Sequence, residues 1–358
     1  MRDKAIGLLQ ELTNAHGAPG FEDEVRAIFA DEMAEVGEIS TDGNGSVFCE
    51  RGEGVRVLLT GHMDEVGFRV QNITPDGFIQ FVPLGGWWSH TLLAQRVAIR
   101  TSSGDKVLGV IASKPPHFLS EAERSRVIAI EHLFIDVGAQ SRSDVEQYYG
   151  IRVGDPVLPM TEFTRMKHED HLMAKAFDNR VGMACAIQAT QALAASGHPN
   201  CLIACGTVQE EVGVRGATTA AVYAKPDVAI VLEGTPADDT PGFSRAMSQG
   251  AVGAGVQIRM QDPTAIMNPA LVDLTVSIAE DEDIPHQVAV RSSGGTDARA
   301  FHLAGTGVPS IVLGVPSRYV HSHQSIIDVN DYLAMVNLSI ALVQRLDEQT
   351  VTSLTTYL

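Results

Sequence analysis

The histidines and carboxylates able to bind a metal ion fall at particular places in this chain. His62 and Asp64 follow an apolar run at 55–60, and Glu210 and Glu211 follow another at 202–208. Glu233 comes directly after a run at 227–232, and a loop carrying His321 and His323 follows the run at 310–314. Asp178 opens an alanine-rich stretch with helical spacing. Short apolar runs of this kind read as buried strands, and open α/β sheets bind ligands beyond the carboxyl ends of their strands. The pattern predicts that these side chains converge on one edge of one sheet. Each alone has an ordinary explanation: a turn carboxylate, a loop histidine, a helix cap at Asp178. The adjacent pair Glu210-Glu211 fits that explanation poorly, because neighbouring carboxylates beside a buried strand repel unless a proton or cation separates them.

Imidazole and carboxylate donors without thiolate suit zinc, cobalt or manganese. Two histidines and three carboxylates exceed what one tetrahedral ion with an open position needs. They fit two ions about 3.5–4 Å apart that share a bridging carboxylate.

Other motifs carry less. His168 and His171 are three residues apart, not four as in the helical zinc motif, and read as part of a solvated turn. The run 292–297, Ser-Ser-Gly-Gly-Thr-Asp, resembles a phosphate loop but lacks its lysine. No nucleophile elbow of the Gly-x-Ser-x-Gly type is present. Trp87 and Trp88 beside Gly85-Gly86 could line a substrate site, although core or subunit contact is the plainer reading. Cys49, Cys185, Cys201 and Cys205 are too few for a disulfide scaffold in 358 residues and form no CxxC pair. Cys201 and Cys205 would share one face of a strand.

The elements that position these residues fall into two kinds. Helical spacing marks 3–14 and 22–36, and a strand at 55–60 follows. Residues 68–165 hold short β-type runs separated by Gly and Pro, the mark of a small all-β unit. Beyond 170, strands near 202–208, 227–232, 286–290 and 310–314 alternate with helices near 179–195, 216–224, 268–280 and 329–347. Such alternation indicates an α/β sheet flanked by helices. The simplest architecture is an α/β domain built from residues 1–67 and 166–358, with a β domain at 68–165 inserted into it.

The formal net charge is −18, and no basic block occurs, which argues against nucleic acid as a partner. No stretch is long and apolar enough to span a membrane, and the amphipathic N-terminus lacks a signal-peptide core. The expected location is the cytoplasm.

The motifs together resemble one family. Gly61-His62-Met63-Asp64-Glu65-Val66-Gly67-Phe68, Lys175-Ala176-Phe177-Asp178-Asn179-Arg180 and Gln209-Glu210-Glu211-Val212-Gly213 are similar to those of the glutamyl and tetrahedral aminopeptidases. So are Asp239-Thr240-Pro241-Gly242, Gly294-Gly295-Thr296-Asp297-Ala298 and Arg318-Tyr319-Val320-His321-Ser322. The inserted segment matches through Val82-Pro83-Leu84-Gly85-Gly86-Trp87 and Ser113-Lys114-Pro115-Pro116-His117. The resemblance implies a zinc-peptidase-like sheet with an inserted β-barrel or PDZ-like domain that makes dimer contacts. It implies a homo-oligomer, commonly a tetrahedral dodecamer, acting on peptides. It also implies two divalent ions, zinc first and cobalt or manganese as alternatives. His62, Asp178, Glu211, Glu233 and His321 would be the ligands, with Asp178 bridging. Glu210 would be the catalytic base, and Asp64 would orient His62. Glu233 departs from the family pattern, which most often has Asp there. His323 is a rival ligand to His321, and the Arg-Tyr-x-His-Ser pattern favours His321. A deacylase using the same ions, or a non-catalytic assembly protein on the same fold, are the competing readings.

Overall fold

The run Arg56–His62 is buried at every residue after the first, as a strand covered on both faces must be. The computed structural model describes residues 2–358, and this run lies at the centre of its main sheet. The nine strands of that sheet are β1 (Glu38–Thr41), β2 (Val47–Arg51), β3 (Arg56–His62), β4 (Cys201–Thr207), β5 (Val228–Pro236), β6 (Val256–Asp262), β7 (Ala265–Ile266), β8 (His286–Val290) and β9 (Ser310–Ser317). Their spatial order is β1-β2-β4-β3-β5-β9-β6-β7, with β8 paired to β6. The four central strands β4, β3, β5 and β9 are mutually parallel. β2 and β6 flank them antiparallel. The central strands are buried almost throughout because helices cover both faces. Cys201 and Cys205 are both buried in β4, in keeping with their spacing.

Helix Phe177–Ser196 packs directly on β3. Small residues permit this approach. A Cβ on Gly61 would stand 2.7 Å from the carbonyl carbon of Gly182, and one on Gly182 would stand 2.4 Å from the Leu232 oxygen. Any side chain at either position would lift the helix off the sheet. Helix Val329–Arg345 covers the same core, with Tyr332, Met335, Leu338 and Leu342 buried. It ends two residues earlier than its spacing predicts, and a short helix, Glu348–Ser353, follows.

The strands of the second unit close on themselves. In order around the barrel they are Gly67–Ile73, Ile79–Leu84, Phe134–Asp136, Lys106–Ala112, Arg96–Arg100 and Pro156–Pro159, and the last pairs with the first. Phe68, Val70, Ile79, Phe81, Ile99, Ile135 and Val157 fill a core separate from that of the sheet. The fold is thus mixed α/β with a small closed antiparallel barrel inserted.

One expectation changes. His171 does not lie in a solvated turn: it begins strand His171–Ala174, which pairs with Ser325–Asp328 in a small third sheet. The polar residues before it misled the reading, and Arg2 pairs with Asp170 across this seam. Among the described residues, no helix is long and apolar enough to cross a membrane.

Candidate metal centre

The carboxyl ends of the parallel strands deliver the site. His62 is the last residue of β3, and Asp64 lies two residues beyond it. Glu210 and Glu211 sit in the turn after β4. Glu233 lies inside β5, not after it, because pairing with β9 continues to Pro236. Asp178 is no helix cap. Its backbone is non-helical, and Asn179 supplies the cap instead, its Oδ1 accepting the Gly182 N–H at 3.0 Å, so the Asp178 carboxylate is free to turn toward the strands. His321 comes from the loop after β9, at φ 59°, a left-handed conformation that non-glycine residues seldom adopt outside functional loops.

These side chains form two groups with one member in common. Asp178 Oδ1 is 3.1 Å from His62 Nε2, and Glu233 Oε2 is 3.8 Å from the same nitrogen. Asp178 Oδ2 is 3.5 Å from His321 Nε2, and Glu211 Oε2 is 3.2 Å from it. The groups His62-Asp178-Glu233 and Asp178-Glu211-His321 each have spacing suited to a metal ion. A third set, His62 with Glu210 and Glu211, places Glu210 beside them. Glu211 Oε1 and Glu233 Oε1 are buried without a hydrogen-bond partner. Two orphaned carboxylate oxygens beside imidazoles are what a divalent ion satisfies.

The electrostatics agree. Burial pushes Glu210, Glu211 and Glu233 above the usual carboxylate range, and neighbouring acids push them further, against the pull of the histidines. Burial opposes charge on His321 as well, but its bonds to Asp178 and Glu211 outweigh this and raise it to about 11. For His62, Asp178 and Asp64 likewise outweigh burial. The pocket therefore draws positive charge into a buried set of acids.

Asp64 links the pieces. Its Oδ1 accepts the Glu210 N–H at 2.9 Å and its Oδ2 accepts the Glu211 N–H at 3.1 Å. His62 Nδ1 is 3.0 Å from the Asp64 carbonyl oxygen and 3.4 Å from Oδ1. One buried carboxylate thus holds both the imidazole and the two-glutamate turn, the kind of outer contact that fixes ligand orientation.

Three buried acids to which the sequence assigned no role, Glu65, Glu22 and Asp297, also stand here. Glu65, buried, accepts from Lys175 Nζ at 2.5 Å and Arg180 Nη2 at 3.1 Å. These cations flank Asp178 in sequence and also bind carbonyls of the first helix region, Leu12 and Ala15. Burial holds Lys175 down at about 8. Glu22, raised by burial to about 7, accepts from Gly20 and Gln209 and steadies the Glu210 turn from its other side. Asp297 accepts from the Thr207 hydroxyl at the end of β4, its other oxygen buried and unpartnered. His323 joins neither group: it is buried, both ring nitrogens lack partners, and burial lowers it to about 4. Its ring lies 5.2 Å from that of Trp87, which stacks on Phe68 of the barrel core at 4.6 Å. Glu65 and Asp297 both fall inside matched motifs, so an acid of unassigned role there was the available signal.

Comparison with known proteins gives a consistent picture. The family model of the M42 glutamyl aminopeptidases matches residues 44–338, and a second one, AMPT, matches residues 3–29. A putative aminopeptidase of Escherichia coli strain K12, FrvX, is 38% identical over 335 residues, 93% of each chain. The crystal structure of a TET aminopeptidase from a marine sediment archaeon of the Thaumarchaeota has a TM-score of 0.95 at 40% identity over 99% of each chain. The TET1 peptidase of Pyrococcus horikoshii, which can assemble into a tetrahedron or a large octahedral shell, has a TM-score of 0.84 at 29% identity, covering 96% of this chain and 100% of its own.

Proposed function

Because the chain belongs to the M42 glutamyl aminopeptidase family, we propose that it is a cytoplasmic, dinuclear metallo-aminopeptidase that hydrolyses the N-terminal peptide bond of peptides. The observation that carries this is Asp178, whose two oxygens face two different histidine–glutamate groups. His62, Asp178 and Glu233 would hold one divalent ion, and Asp178, Glu211 and His321 the other. Zinc suits these donors, as do cobalt and manganese. Such ions supply Lewis acidity to a water and to the scissile carbonyl.

The chain's own residues do the rest. Glu210 stands beside His62 and Glu211 but outside the two groups that share Asp178. Its N–H bond to Asp64 fixes its backbone. It takes the proton from the attacking water and hands it to the leaving amine nitrogen. Glu233, where the family most often has Asp, has the longer arm and lies within β5. By analogy with the assembling relative, the chain forms a homo-oligomer, a tetrahedral dodecamer, with the barrel at 68–165 supplying dimer contacts.

The decisive variant is Glu210→Gln. It keeps its metal by elemental analysis while kcat falls by about two to four orders of magnitude, the usual worth of a general base. Near-normal turnover would refute the role. Parallel assays on aminoacyl anilides and N-acylated amino acids, with zinc, cobalt and manganese each reconstituted, distinguish aminopeptidase from deacylase.

A further inference from the structure

A cavity of about 680 Å³ opens beside His321, between the barrel and the loop after β9. Its walls include Trp87, Trp88, Thr91 and Gln95 from the barrel side, and Tyr319 and His323 from the loop. None of its lining residues is Asp, Glu, Lys or Arg. Of the two arginines adjacent in sequence to lining residues, Arg318 is occupied by a two-pronged bond to Asp239 at 2.8 and 2.6 Å, and Arg96 is exposed and outside the lining. The cavity adjoins the metal centre closely. A Cβ on Gly86 would stand 3.2 Å from His321 Nδ1, and one on Gly85 would stand 3.3 Å from Glu211 Oε2. Glycine at both positions lets the barrel come this near without strain.

We infer that this cavity is a substrate subsite for a large uncharged side chain, aromatic or branched aliphatic, on a residue flanking the scissile bond. The inference rests on the aminopeptidase reading and deepens it. Two indoles and a phenol offer apolar area and ring faces. A basic side chain would lose its hydration there and gain no counter-charge, and an acidic one would meet only His321, already held by Asp178 and Glu211. His323 adds a second, independent sign. It is 3% exposed, and neither ring nitrogen has a partner. A buried imidazole in that condition needs a donor or acceptor from a bound molecule, and a peptide backbone carries both. The family is described by glutamyl specificity, but this cavity is ill-suited to glutamate. Trp88 is 65% exposed, so the rival occupant is the surface of another copy.

The protein carries its own probe, since Trp87 and Trp88 are its only tryptophans. Metal-loaded protein titrated with free phenylalanine, leucine, glutamate and lysine is followed by tryptophan emission. Phenylalanine and leucine should change the emission and bind at least about tenfold more tightly than the charged pair, a typical worth for a side-chain pocket. Trp88→Ala should weaken phenylalanine about tenfold with an unchanged melting temperature, and Thr91→Lys should improve glutamate binding. Two kinetic series, aminoacyl anilides and alanyl-Xaa dipeptides, tell which side of the scissile bond the pocket serves. Selectivity in either supports the inference. Equal binding of charged and apolar ligands overturns it, as does apolar binding that leaves the emission untouched. It also falls if Trp88→Ala changes the oligomer's mass and leaves selectivity intact. Absence of turnover on every aminoacyl substrate would instead sink the proposed reaction, since the fluorescence titration needs no chemistry.

Discussion

The two halves of the candidate centre are built from different materials. His62 and Glu233 sit on adjacent parallel strands, with side chains 2% and 6% exposed. His321 hangs from a loop in a left-handed conformation and is 38% exposed. Behind the first half lie Glu65, Lys175 and Arg180, all buried and bonded, while Asp64 reaches from His62 to the Glu211 turn of the second. Beside the second lie the barrel's Gly85-Gly86 turn and the His323–Trp87–Phe68 stack. One half is thus set by the strand ladder, the other by packing across the seam with the barrel. A ligand on a rigid element holds its geometry before any ion arrives, whereas a loop ligand relies on its neighbours for precision. The strand-borne half should therefore be the tighter and the less sensitive to changes in the barrel.

The contrast can be broken in three ways. Asp178→Ala removes the one member common to both halves, so both ions should be lost and hydrolysis should fall to background. A chain that still retained one full ion by elemental analysis would mean that a half can stand without it. Glu65→Gln acts behind the strand-borne half, through the cations on either side of the shared Asp178. It leaves Lys175 and Arg180 as buried cations without their carboxylate, and breaking such a pair costs about 3–5 kcal/mol. The urea midpoint should drop accordingly, and an unchanged midpoint would mean the brace contributes nothing. Gly86→Ala acts on the loop half alone. Its methyl group presses on His321 by a few tenths of an ångström, a strain of roughly 1 kcal/mol, or about fivefold in affinity for one ion. Titration of the two ions should show the weaker one shifted and the tighter one untouched. A shift in both would erase the distinction.

Much of this was legible in the residues. Runs such as 55–60 and 202–208 read as buried strands because parallel strands covered on both faces carry no polar alternation. Once those strands are placed, the polar residues at their ends must share an edge. What the pattern did not carry was depth. Nothing local to Glu233 says that β5 runs on to Pro236, since that depends on pairing with β9, about eighty residues away in sequence. The roles of Glu22 and Asp297 were hidden for the same reason. Each is an ordinary acid in a loop until folding sets it against Gln209 or Thr207. The strand at His171–Ala174 was missed because its partner, Ser325–Asp328, is farther still from it in the chain.

The order of the ligands along the chain has a consequence for biogenesis. His62 precedes the barrel, Asp178 follows it, and Glu233 and His321 come later still. At ordinary translation rates of about 5–20 residues per second, His62 waits many seconds on the ribosome before Asp178 exists, and longer again before His321. No nascent or prematurely terminated chain can complete either ligand group until most of the sheet has been made. Neither ligand group is local in the chain, so an ion held by either could enter only after the barrel and the strands on both sides of it had been made.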